Sequence, residues 1–301
     1  MQGIRSIKKS FIMLLSESTK DATERVILRI AILSYLLHLF IIFLNVQGLL
    51  HFEQEFLKNP IAAIYTPFSF ILVYEVFLLI YFLPKSITEY IGKQYEIITL
   101  IVIRRIFKDI TYVELKSDWF FNEHDLQFTF DVATSLILFF IIYLFYKSIK
   151  KRDYDAIEKS DKEGQNIKQF VLLKRYMAIA LIPIFLIIAS YAFIHWGMIT
   201  YRDHSNGILE FSKINNIFFE EFFTVLIGVD VLLLLASFFY SDKFYKIIRN
   251  SGFVLSTILI KLSFLSTGLV SNILIISSVL FGYLILLIHN LFEKDAESKS
   301  P

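Results

Sequence analysis

Residues Ile61–Leu83 form a run of 23 residues with a single ionisable side chain, Glu75. As an α-helix, at about 1.5 Å per residue, such a run is roughly 35 Å long and crosses the hydrocarbon core of a bilayer. A soluble domain of this size would break it with charge. Further apolar runs cover Val26–Leu44, Phe128–Tyr146, Ile179–Ile199, Ile217–Tyr240, Phe253–Leu269 and Asn272–Leu291, the last two separated by a tight polar turn. Of 301 residues, 56% are hydrophobic and 19% charged, and the charges bunch between the runs. The pattern predicts an all-α fold, a polytopic transmembrane helix bundle. It excludes an ordinary soluble enzyme and a disordered chain. The absence of cysteine removes disulfides, thiolate metal sites and cysteine nucleophiles.

At the N-terminus Arg5, Lys8 and Lys9 precede only the short apolar FIMLL, with no small-residue cleavage site. No signal peptide is expected, and the first spanning helix serves as the targeting signal. The ambiguous segment is Tyr95–Val113, whose second half carries Arg104, Arg105, Lys108 and Asp109. Hydropathy alone makes it an amphipathic surface helix. Charge bias decides otherwise. If the segment spans, 21 of the 30 Lys and Arg residues fall in inside segments and 4 in outside ones. If it does not, the cluster Lys147, Lys150, Lys151 and Arg152 moves outside with Lys174 and Arg175. The chain is therefore expected to cross eight times, in a plasma (inner) membrane, with both termini cytoplasmic. Its abundance of Ile, Lys, Phe, Asn and Tyr suits an AT-rich bacterial genome. The outer segments also carry Glu53, Glu55, Glu114, Asp118, Glu123, Asp125, Asp203 and Glu210. Such a surface either concentrates cations or simply follows the charge bias.

Internal similarity points to two parallel four-helix repeats. GLLHF at Gly48–Phe52 answers to GILEF at Gly207–Phe211, an offset of 159. Glu75 answers to Asp230 at an offset of 155, and Arg104 or Arg105 to Lys261 at 157 or 156. Each pair falls at the same place in the helix order. The expected organisation is a first four-helix unit over 1–147, a charged cytoplasmic linker over 148–168, a second unit over 169–292 and a tail over 293–301. An even number of helices per unit makes the repeat parallel, about an axis along the membrane normal. Glycine is scarce, so aromatic contacts among the 32 Phe residues are expected to take much of the helix packing.

An ionisable group at bilayer depth must be hydrated or paired. Helical rise places Glu75 about 12 Å and Arg104 about 16 Å above the inner ends of their helices, within reach of each other. Asp131 and Lys108 match at about 22 Å, and Asp230 and Lys261 lie roughly 15 and 12 Å deep. Each unit is thus expected to set a carboxylate on its second helix against a cation on its third. Such pairs either fix helix register or line a hydrated route for protons or cations. Asp109, four residues after Arg105, is a local alternative partner. His38 sits mid-helix, as a proton relay or as a neutral core histidine. Glu220 and Glu221, near a helix N-terminus, act as capping acids or as an outer cation entrance.

Catalytic signatures are absent. There is no HExxH, GxSxG, Walker loop or helix-opening GxGxxG, and His195, His204 and His289 stand at no metal-binding spacing. No enzyme, metal or other cofactor is expected, and no nucleic-acid partner. The expected partners are the bilayer, anionic head groups at Lys147, Lys150, Lys151 and Arg152, and a further copy of the chain or another membrane-complex subunit. The expected function is conduction or transport of a cation or proton through a route lined by buried acid–base pairs. The alternative is a non-conducting subunit or scaffold that binds a partner through the linker or the termini.

Overall fold

In the computed structural model the described residues are 15–51, 57–58, 60–110, 123–149, 161–202, 211–240, 244–266 and 268–298. Among them there are eight α-helices and no strand: α1 (Glu17–Val46), α2 (Tyr65–Phe82), α3 (Ile87–Asp109), α4 (Glu123–Ser148), α5 (Asp161–Arg202), α6 (Phe211–Tyr240), α7 (Phe244–Ser263) and α8 (Gly268–Ser298). A short 3₁₀ turn over Ala62–Ile64 precedes α2. Among the described residues, five helical stretches are long and apolar enough to cross a membrane: Glu17–Val46, Asp125–Ser148, Lys168–Tyr191, Glu221–Tyr240 and Gly268–Ala296.

Local chemistry explains the helix ends. Ser16 caps α1, its Oγ accepting from the Thr19 amide at 3.3 Å, with Glu17 in the first turn where the helix dipole favours an acid. Beyond Val46 the chain leaves the helix through Gly48 at φ +73°, a left-handed conformation that glycine adopts without the Cβ penalty. Gly268, at φ +65°, follows the α7–α8 turn in the same way. The 42-residue α5 carries Pro183 inside it, and the proline removes one backbone donor there.

The helices differ sharply in what surrounds them. Only 17% of the apolar stretch of α1 is buried, and Leu33, Leu36, Leu37, Phe40 and Phe43 stand more than half exposed. An apolar face of that extent is not one that water covers. In contrast, α3 is enclosed: Tyr90, Ile91, Tyr95, Ile97, Ile98 and Val102 are each at most 2% exposed. The helix that hydropathy would place on a surface is therefore a core helix, although its charges keep it out of the apolar five.

By their contacts the residues gather into two compact units. One joins Met1–Tyr81, Leu100–Asp131 and Ile179–Phe222; the other joins Phe82–Thr99, Val132–Ala178 and Phe223–Pro301. Helices α3, α4, α5 and α6 each contribute to both, because a long helix meets different neighbours along its length. These units are not consecutive segments of the chain. A division by contacts reports packing, whereas a duplication is a statement about descent.

Within the second unit α7 and α8 approach through small residues. A Cβ on Gly252 would meet Ile285 side-chain atoms at 2.7–2.9 Å, and one on Gly282 would lie 1.7 Å from the Tyr95 hydroxyl and 3.1 Å from Ser256 Oγ. Gly252–Ser256 on α7 and Ser278–Gly282 on α8 are both small residues four apart, the spacing that lets helix backbones come close. Scarce glycine thus sits where close approach needs it. Aromatic contacts complete the same unit, with Phe145 against Tyr95 and Phe253 at centroid distances of 5.2 and 6.0 Å.

Candidate functional site

Asp230 is the centre of a buried polar cluster. It lies on α6 within Glu221–Tyr240, a stretch whose apolar character brings the carboxylate inside with it. The side chain is 2% exposed, and Gln94 on α3, 3% exposed, donates from Nε2 to its Oδ2 at 3.0 Å. The hydroxyls of Tyr90 and Thr257 face the same carboxyl. Tyr90 falls short of full hydrogen-bond geometry there, and Thr257 also bonds back to the Val254 carbonyl at 2.8 Å. Tyr90 and Gln94 are four residues apart and so share one face of α3. Among the described residues every one of these partners is neutral.

A hydroxyl chain runs beside the carboxylate. Ser256 Oγ donates to the Ser278 carbonyl at 2.7 Å, so it is left to accept from the Tyr95 hydroxyl at 2.8 Å. Tyr95 is close enough to Asp230 to feel its charge. The narrow space over Gly282 is what admits the Tyr95 hydroxyl. Four helices, α3, α6, α7 and α8, therefore converge on a polar interior within one unit.

The first unit solves the same problem differently. Arg105 on α3 grips Asp131 on α4 with both prongs of its guanidinium, Nε to Oδ2 at 2.7 Å and Nη2 to Oδ1 at 2.9 Å. Gln127 Nε2 adds a third bond to Oδ1 at 2.7 Å. Asp131 is fully buried while the Arg105 side chain keeps 27% exposure. This is a bidentate, charge-assisted contact.

One pairing expected from depth is corrected and another gains a cation. Asp131, for which Lys108 was expected, holds Arg105 one helical turn away, whose guanidinium reaches the same height and offers two parallel donors. Asp230 accepts from Gln94, while Lys261 bonds to Thr224 Oγ1 on α6. Lys261 lies one helical turn beyond Thr257 on the same face of α7, so the half-buried lysine meets α6 at Thr224, six residues before Asp230, and misses the carboxyl by height. Glu75 is half-buried on α2 and Arg104 is 6% exposed on α3, both within the first unit.

The remaining candidates separate further. His38 is 6% exposed and its Nδ1 meets Thr66 Oγ1 at 2.7 Å. Glu221 is exposed on α6, and the side chains of Glu220 and Lys108 lie outside the described ones. Lys147 is exposed over the Tyr143 ring at 5.9 Å, whereas Lys150, Lys151 and Arg152 lie outside the described residues. His204 does too, while His289 has a partner in Arg249.

Sequence reasoning missed Gln94, Tyr90, Tyr95, Ser256 and Thr257. The signal for the first two was their four-residue spacing, hidden because both fall in 84–94, between the runs Ile61–Leu83 and Tyr95–Val113; α3 in fact begins at Ile87. No protein-family model, curated protein or solved structure matches this chain.

Proposed function

We propose that this chain is a multi-pass membrane protein that moves a proton or small cation, with Asp230 as the group that binds and releases it. The observation that carries the reading is a carboxyl 2% exposed whose described partners, Gln94, Tyr90 and Thr257, are all neutral. In an apolar surround a carboxylate with only neutral donors is stabilised by taking up a proton or a cation. Exchange of that ion is the chemistry the site offers.

The wider frame of the proposal is a bundle of eight crossing helices in a bacterial plasma membrane, both termini cytoplasmic. Its support is the charge bias of 21 inside basic residues against 4 outside, and the exposed apolar face of α1. The two halves, 1–147 and 169–292, are read as parallel repeats that place Glu75 and Asp230 at equivalent positions. Glu75, with Arg104 as its counter-charge, then supplies a second ionisable step, and His38 a relay toward it. The pair Arg105–Asp131 serves as a structural lock.

The test is proton and potassium flux into liposomes that hold the purified protein. Wild type is expected to conduct one of the two, and Asp230→Asn to fall to the rate of empty liposomes while remaining folded. Glu75→Gln is expected to slow flux. Normal flux in Asp230→Asn removes the site assignment. An inserted, folded wild type that carries no ion points to the non-conducting subunit, which a partner co-purifying in fixed ratio would identify.

A further inference from the structure

The groups around Asp230 suit a proton and a metal cation unequally. Gln94 turns an N–H toward the carboxyl, bonding Oδ2 at 3.0 Å. An N–H completes a bond to a carboxyl but cannot coordinate a metal ion. The oxygens that face the site are the hydroxyls of Tyr90 and Thr257. Helices α3, α6 and α7 run unbroken through Tyr90–Gln94, Asp230 and Thr257, so their main-chain carbonyls there are engaged in helix bonds. Transporters that carry metal cations free such carbonyls by unwinding a helix at the site. Hard cations gather about six oxygens, and here the side chains bring two from the carboxyl and two from hydroxyls. Among the described residues no group of three acidic or histidine side chains is placed to hold a metal.

A proton asks for much less. Thr257 Oγ1 gives its one hydrogen to the Val254 carbonyl at 2.8 Å, so it turns lone pairs toward Asp230. A lone pair repels a carboxylate and accepts from a carboxylic acid. The protonated carboxyl can therefore keep the bond from Gln94 on one oxygen and give its hydrogen to Thr257 from the other. Tyr90, 1% exposed, completes no hydrogen bond of full geometry. A buried hydroxyl short of a partner is costly, and a carboxyl that gains and loses a proton beside it can supply one.

We propose that the ion taken up at Asp230 is a proton, and that Thr257 Oγ1 accepts the hydrogen of the acid and thereby selects it over sodium and potassium. The proposal rests on the transport reading of Asp230 and names its ion. Thr257 is a positioning residue in this scheme: it orients the acid hydrogen and carries no ion itself.

The first readout is binding, which does not depend on flux. Infrared spectra of the purified full chain at mildly acid pH are expected to contain the C=O stretch of a carboxylic acid that Asp230→Asn removes. Sodium or potassium chloride is expected to leave that band as an equal concentration of choline chloride leaves it. Thr257→Val removes the acceptor, so the band is expected to move to higher frequency, and Thr257→Ser to restore it. The second readout is uptake into liposomes. Wild type is expected to take up protons and neither sodium nor potassium, and Thr257→Val to slow proton uptake about fivefold, the equivalent of one neutral hydrogen bond. An absent acid band, a band that sodium or potassium diminishes, or uptake of either metal that Asp230→Asn abolishes overturns the proton assignment. A band unmoved in Thr257→Val overturns the role given to Thr257. An intact band with no uptake of any ion sinks transport at Asp230 and leaves the bound proton standing, so the two readings fail separately.

Discussion

Asp131 and Asp230 are both carboxylates on long apolar helices, both at most 2% exposed, yet their surroundings are opposite in kind. Asp131 meets a guanidinium and an amide in three bonds of 2.7–2.9 Å. Asp230 meets an amide and hydroxyls. A buried acid with a bidentate cation has no reason to exchange its ion, since losing the charge would strand the partner. A buried acid among neutral donors has no such penalty. Burial alone therefore does not mark a functional group; the charge of its partners does.

That contrast is breakable by mutation, and the largest effect is expected on the charged side. Asp131→Asn removes the anion and leaves Arg105 buried over most of its length without it. The loss expected is about 3 kcal/mol, the low end for a broken buried pair because the arginine keeps some access to its surroundings. Unfolding in mixed micelles titrated with denaturing detergent measures it, and an unchanged midpoint would mean the pair contributes nothing.

Next in size is Gly282→Ala. Its Cβ would fall 1.7 Å from the Tyr95 hydroxyl, so either the ring or α8 has to shift, at a cost of about 2 kcal/mol. Adding Tyr95→Phe removes the clashing oxygen and is expected to recover most of that loss, at about 1 kcal/mol for the missing bond to Ser256. A double variant no better than Gly282→Ala would show that the glycine answers to backbone packing instead.

The smallest stability effect is expected at Asp230. An asparagine keeps the shape and still accepts from Gln94, so the change is expected to stay within about 1 kcal/mol while flux is lost. Equal destabilisation by Asp131→Asn and Asp230→Asn in the same titration would erase the distinction between the two acids.

Much of this was legible along the chain. Eight helical segments follow from apolar runs and their charged flanks, and both buried acids were visible as lone carboxylates in those runs. The partners were not. Depth along a helix, reckoned at about 1.5 Å per residue, is one coordinate of three. It gave no sign that Arg105 would reach Asp131, and it brought Lys261 to Asp230, where Gln94 donates instead. Arg105 wins by reach and by its forked donors. Gln94 wins because α3 starts eight residues before Tyr95, which turns a supposed loop residue into a core one.

The sequence by itself determined which segments are helices and that charge would be carried inside them, because hydrophobic content and local capping act over a few turns. The tertiary structure alone decided which helix faces meet. Rotation about each axis is set by where neighbours approach, and here that rests on glycines and serines at Gly252, Ser256, Ser278 and Gly282, whose contacts lie across helices and not along them. One such approach seats Tyr95 and Ser256 beside Asp230, and the character of that acid follows from it.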